Sequence, residues 1–227
     1  MFGLENIVLN YGDLRVLDQF NLTCDGKEFI SLFGPSGVGK SSILNILAGI
    51  IKPQSGKIKS NSQRLAYVFQ EPRLLPWFTV KQNMQLGLHN LGLTNRQQEE
   101  RINSLLPLLG LSDFADYYPS QLSGGMKQRV SIGRAFAILP DLLLLDEPFS
   151  ALDENLKQDM RELLHTLQEW HPCTKVMVTH DVNEAIKLSD RIVVLTGSPC
   201  RIALNIYPQT ENEGELEKIL LSAAVSA

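Results

Sequence analysis

The chain has 227 residues, 44% of them hydrophobic and 20% charged, with a formal net charge of -4. That is the composition of an ordinary globular domain long enough to bury a full core, and its acidic balance excludes a general polyanion binder, which needs an excess of Lys and Arg. Cys24, Cys173 and Cys200 are odd in number and far apart, with no metal or disulfide spacing, so reduced thiols in a cytosolic compartment are expected.

Along the chain, Met1 to Glu5 lacks the basic start and apolar stretch of a secretory signal, and no export is expected. Short apolar runs at Phe29–Phe33, Leu65–Phe69, Leu142–Leu145, Lys175–Thr179 and Arg191–Leu195 predict buried strands, because each is brief and bounded by turn or polar residues. Helix-length segments separate them, a pattern that predicts an α/β sheet with ligands gathered at the carboxyl ends of its strands. Between about Met84 and Ile138, Gln97–Leu109 and Ser123–Leu139 have helical character with no strand between them, which predicts an inserted helical lobe. The tail after Gln209, rich in Glu211, Glu213, Glu215 and Glu217, predicts a solvated terminal helix. The longest apolar stretches, Leu142–Leu145 and Ile43–Ile51, fall well short of the roughly 20 residues that span a bilayer.

Two segments carry chemistry. Gly34-Pro35-Ser36-Gly37-Val38-Gly39-Lys40-Ser41 follows a predicted strand and precedes a helix-like stretch from Ser42, the setting a phosphate cradle requires. Its glycines let backbone N–H groups approach phosphates, and the helix offers its positive end. Lys40 would meet the β- and γ-phosphates and the Ser41 hydroxyl a Mg²⁺ ion. Further on, the apolar run Leu142–Leu145 ends in Asp146 and Glu147, adjacent carboxylates seldom placed there for stability alone. A metal on Asp146 and a water polarised by Glu147 account for them.

The run Leu122-Ser123-Gly124-Gly125-Met126-Lys127-Gln128-Arg129 opens a second helix-like stretch, and with the phosphate loop and the carboxylates it resembles the ATP-binding cassette proteins. The resemblance covers nearly the whole chain and implies a P-loop NTPase (RecA-like) core with a β-subdomain, in one domain over residues 1–227, with an inserted helical subdomain at about 84–138 and a C-terminal tail at about 209–227. In that family the signature of one protomer completes the ATP site of another. Leu122, Ser123, Gly124, Gly125 and Gln128 would then face a partner's γ-phosphate, although a plain helix cap by Ser123 is equally open. By the same resemblance Tyr11 would stack on adenine, and Gly34 through Ser42 (Gly34, Pro35, Ser36, Gly37, Val38, Gly39, Lys40, Ser41, Ser42) would hold ATP. Gln70 would contact Mg²⁺ and the attacking water, and His180 would hold Glu147. Asp153 would link the two nucleotide sites, or serve only as a helix N-terminal acid. Lys127 stands where the family very often has Arg, which keeps the charge and loses the planar fork.

No coiled coil and no second cassette is present, which disfavours relatives acting on DNA or the ribosome, and nucleic acid is not an expected partner. The resemblance implies instead an ATPase subunit that works as a homodimer or pair of cassettes. It would dock on two integral membrane permease subunits, peripherally at the cytoplasmic side of the inner membrane, and an extracytoplasmic solute-binding protein would deliver the solute. Leu74-Leu75-Pro76-Trp77 resembles the nitrate, sulfonate and taurine importer branch, which also includes importers of thiamine-precursor pyrimidines; core packing of these residues is the alternative.

Overall fold

The computed structural model describes residues 2–210 and 212–225. Its elements in chain order are β1 (Phe2–Tyr11), β2 (Leu14–Cys24), β3 (Phe29–Phe33), α1 (Lys40–Leu47), β4 (Ser55–Ser60), β5 (Leu65–Val68), α2 (Val80–Gln85), α3 (Asn95–Leu108), α4 (Gly124–Ala137), β6 (Leu142–Asp146), α5 (Glu154–Trp170), β7 (Thr174–Thr179), α6 (Val182–Leu188), β8 (Arg191–Thr196), β9 (Arg201–Ile206) and α7 (Glu213–Val225), with short 3-10 turns between some of them. The chain divides into two compact units. Met1–Gln63, Leu144–Glu147 and Thr174–Ala227 form the first, and Arg64–Leu143 with Pro148–Cys173 the second.

In the first unit β7, β3 and β8 are parallel neighbours, with β6 beyond β7 and antiparallel β9 beyond β8. All five residues of β3 are buried, as a strand covered on both faces must be. Helix α1 buries Ile43, Leu44, Ile46 and Leu47. A separate antiparallel sheet runs β2-β1-β4, with Leu4, Ile7 and Leu9 of β1 and Leu17, Phe20 and Leu22 of β2 in its buried layer.

The five expected strands are present as β3, β5, β6, β7 and β8, each within a residue of its expected bounds. The antiparallel sheet and β9 were not anticipated. Every residue of β4 is exposed, so no hydrophobic pattern marks it, and β1 breaks its alternation at register shifts after Leu4, Ile7 and Leu9. The tail also differs from expectation. It is helical, but Leu216 and Leu220 are buried with Phe33, Ala185, Ile192 and Val194 in one cluster, so α7 is part of the unit's core. Met1, Glu211 and the last two residues lie outside the described residues.

The second unit is mostly helical. Thr79 caps α2 and Thr94 caps α3, each through a reciprocal bond with the glutamine three residues on, Gln82 and Gln97, which satisfies two otherwise orphaned donors per helix. The helices expected at Gln97–Leu109 and Ser123–Leu139 are observed as α3 and α4. Pro107, inside the last turn of α3, marks where that helix stops. Among the described residues no helix is long and apolar enough to cross a membrane. All three cysteines are buried, and none forms a disulfide among the described residues.

Because Leu220 is fully buried on α7, Leu220→Ala is expected to lower unfolding stability by about 2 to 5 kcal/mol, the usual range for a buried leucine truncation. Urea denaturation of the two proteins measures it, and a change under about 0.5 kcal/mol, the scale of a surface substitution, would mean that the tail is peripheral.

Candidate functional site

Strand β3 delivers the chain to Gly34 at the carboxyl end of the sheet. A Cβ on Gly34 would lie 2.5 Å from the Leu195 carbonyl oxygen, so β8 leaves no room for any other residue there. The loop turns into α1 at Gly39, whose φ of 112° suits glycine alone and whose Cβ would press on Val16 at 2.9 Å. Among the described residues no side chain caps the start of α1 and no acid sits in its first turn. Its first N–H groups and positive dipole end are therefore available to an anion.

Lys40 is only 5% exposed. Its ammonium donates to the Gly34 and Pro35 carbonyls at 2.7 and 2.8 Å, which uses two of its three donors. Burial pulls its pKa below the ordinary lysine value, and the Glu147 and Asp146 carboxylates push it back up. A phosphate would replace the water that burial has removed from this cation. Beside it, the Ser41 hydroxyl donates to Asp146 at 3.0 Å, so the serine of the loop and the acid ending β6 already meet.

Glu147 follows Asp146 with φ 44°, a left-handed conformation that costs a non-glycine residue energy and is found chiefly where surroundings enforce it. Its N–H donates to the Val178 carbonyl at 3.0 Å, which fixes the turn against β7. The same strand ends at Thr179 and presents His180, whose Nδ1 lies 3.3 Å from the Glu147 carboxylate. The His180 side chain is 58% exposed while that of Glu147 is 22% exposed, so the pair stands at the surface with the acid the more sheltered partner.

Near His180, Glu184 escaped the sequence reading. The Thr179 hydroxyl donates to the buried Glu184 carboxylate at 2.6 Å and accepts from the Asp181 N–H at 3.0 Å. Asp181 in turn caps α6 by accepting from the N–H groups of Asn183 and Glu184. The backbone on both sides of His180 is thereby tied to one buried carboxylate. No periodicity marks Glu184, since a single acid in the first turn of a helix is commonplace.

Tyr11 ends β1 and pairs with Leu14 across a two-residue Gly12-Asp13 turn, a tight hairpin in which Gly12 takes φ 58°. The hairpin tip explains how a half-exposed tyrosine (49%) reaches the loop: its hydroxyl lies 3.4 Å from that of Ser42. An open depression of about 300 Å³ is bounded by this tip, by Ser36, Gly37 and Gly39–Ser42, and by Glu147. Leu14 and Val16 also line it. The Gly-Asp turn between two runs was the available signal for them.

The other expected residues belong to the second unit. Gln70 follows β5 and donates its amide to the Ser150 hydroxyl at 3.1 Å. Ser123 caps α4 by accepting from the Met126 N–H at 3.2 Å, and Asp153 caps α5 by accepting from the Leu156 N–H at 3.0 Å; both capping readings are thus met. Ser123 and Gly124 are exposed, but Gln128 is buried and donates to the Pro148 carbonyl at 2.7 Å. Its amide thus makes an internal brace within the second unit. Leu122 is buried as well, and a side chain on Gly125 would begin 3.4 Å from Leu156. Trp77 is 66% exposed, against the core-packing alternative for that residue.

Residues 17–150 match the family model for the ABC transporter. The chain is 38% identical to the aliphatic sulfonates import ATP-binding protein SsuB 1 of Mesorhizobium japonicum, over 96% of this chain and 85% of that one. It is 40% identical to the bicarbonate transport ATP-binding protein CmpD of Synechocystis sp., over 86% of this chain and 74% of that one. Among solved structures, the dimeric post-hydrolysis state of an ATP-binding cassette bound to ADP and Pi is similar with a TM-score of 0.79 and 31% identity, over 92% of this chain and 99% of that one. The chain belongs to the ABC transporter family. It is an ATP-binding cassette with the P-loop NTPase fold, and its activity is ATP hydrolysis.

Gly39→Ala forces a Cβ against Val16 at a left-handed backbone position. It is expected to weaken ATP binding by about tenfold or more, the worth of one displaced loop hydrogen bond. Titration with a fluorescent ATP analogue reads this directly; unchanged affinity would mean that the loop tolerates the displacement.

Proposed function

We propose that the chain is the motor subunit of an importer for a small anionic solute, of the nitrate, sulfonate and taurine kind. Two copies would dock on two membrane permease subunits at the cytoplasmic side of the inner membrane, peripherally, and a solute-binding protein outside would supply the cargo. The relatives named for sulfonates and bicarbonate support the importer and the anionic solute. The exposed Trp77 in the Leu74–Trp77 element supports a docking surface for a short helix of the permease.

One observation carries the mechanism: Lys40, Ser41, Asp146, Glu147 and His180 converge at the carboxyl end of the β6-β7-β3 strands with their contacts already formed. In this reading the N–H groups of Gly34–Ser42 and the Lys40 ammonium bind the phosphates, and Tyr11 carries the adenine on its face. Glu147 accepts a hydrogen bond from the attacking water and polarises it toward the γ-phosphate. His180 holds that carboxylate in place by donating to it from Nδ1, and in the doubly protonated ring Nε2 is a donor as well, toward the γ-phosphate. A hydroxyl and a carboxylate meeting at 3.0 Å are hard oxygen donors of the kind Mg²⁺ accepts alongside phosphate oxygens and water. Ser41 and Asp146 would therefore hold it, and the ion when bound would neutralise phosphate charge; the family resemblance gives Gln70 the part of a further ligand. Ser123 and Gly124 at the start of α4 would meet the γ-phosphate of a partner copy, and Asp153 would report between the two nucleotides.

Glu147→Gln keeps the shape of the side chain and removes its charge. Phosphate release is expected to fall by about a hundredfold or more, the scale of a lost general base, while ATP binding persists and an ATP-bound dimer accumulates on gel filtration. Normal steady-state hydrolysis by this variant would sink the assignment of Glu147.

A further inference from the structure

We infer that Arg134 is a positioning residue that bolts the loop carrying Gln70 to the helix headed by Ser123, so that whatever moves that loop moves the signature with it. The inference rests on the roles proposed for Gln70 and Ser123. Arg134 lies in the last turn of α4, and its fork is divided between two consecutive carbonyls. Nη2 donates to Pro72 at 2.9 Å and Nη1 to Arg73 at 3.0 Å. Burial lowers its pKa, yet a guanidinium stays charged, and an apolar side chain would fill the same space without the cost of desolvating a cation. What the arginine adds is direction: two donors in a fixed plane define where two carbonyls must point.

The backbone that receives it needs such holding. Arg73 has φ 47°, a left-handed conformation unfavourable for any residue with a Cβ and sustained only by its surroundings. The same residue is anchored from its other end. Its guanidinium lies 3.8 Å over the Phe69 ring, which stacks on Tyr67 of β5 at 4.3 Å. Residues 70–73 are thus clamped between the strand and α4, with the Gln70 amide resting on Ser150. Ser123 precedes Arg134 by 11 residues on one uninterrupted helix, about three turns or 16 Å of rigid rod. A displacement of the Gln70 loop is passed through Arg134 along that rod to the end that would meet the partner's phosphate. Arg134 touches none of the reacting groups itself.

The test compares Arg134→Ala and Arg134→Lys in the native and Glu147→Gln backgrounds. In the Glu147→Gln background Arg134→Ala should raise the ATP concentration that half-populates the dimer by about tenfold, the worth of one charge-assisted hydrogen bond, with ATP affinity of the monomer unchanged. In the native background kcat should fall while KM holds, and Arg134→Lys, which keeps the charge and reaches one carbonyl at a time, should recover part of both effects. Without nucleotide, hydrogen exchange at the amides of Glu71, Arg73, Leu74 and Leu75 should be faster in Arg134→Ala. Unchanged exchange overturns the inference whatever the nucleotide chemistry proves to be. A parallel loss of monomer ATP affinity, kcat and melting temperature would also overturn it, by making Arg134 a packing residue. Should Arg134→Ala not fold, Arg134→Lys carries the same comparisons. If the Glu147→Gln parent itself fails to dimerise with ATP, the proposed roles of Glu147 and Ser123 fall, and the exchange result still decides Arg134.

Discussion

A lysine ammonium buried to 5% exposure is the constraint around which the first unit is arranged. A cation so sheltered must be paid for by dipoles or counter-charges, and here both are supplied by backbone geometry. The Gly34 and Pro35 carbonyls turn inward onto it. They can do so because β8 approaches Gly34 too closely for a side chain and because Gly39 adopts a conformation closed to other residues. Asp146 and Glu147 raise the favourable potential from the end of β6. The glycines, the central position of β3 and the acids ending β6 are in this sense one arrangement, and replacing the lysine would leave the others without their common purpose.

The strained turn at Glu147 is a second consequence of the same sheet. Strands β6 and β7 run side by side, and the Val178 carbonyl near the end of β7 takes the Glu147 N–H. His180 leaves β7 two residues later, which brings imidazole and carboxylate to 3.3 Å. Register thus sets the distance between two reactive groups far apart in sequence, and Thr179 with Glu184 keeps the histidine end from drifting.

The phosphate loop, the acids ending β6 and the five parallel-sheet or neighbouring strands were legible because each combines a local pattern with a backbone requirement: apolar runs for strands buried on both faces, glycines where backbones crowd. The antiparallel sheet was not, because β4 is exposed throughout and β1 shifts register three times, so neither shows sustained alternation. The burial of Gln128 was not legible, because its motif position says nothing of which face of α4 is buried. Leu216 and Leu220 were hidden among the glutamates of the tail, although both reach the core. Arg134 is indistinguishable from Lys127 and Arg129 in sequence; only the positions of two carbonyls single it out.

The burial of Cys200 has an implication of another kind. This thiol packs beneath the phosphate loop, its Cβ 3.6 Å from where a side chain on Gly39 would begin, and burial pushes its pKa up to about 12. The thiolate is the species that oxidants and electrophiles attack, and at cellular pH it is essentially absent here. Burial therefore makes Cys200 a poor target for oxidants, even though it packs against the phosphate loop.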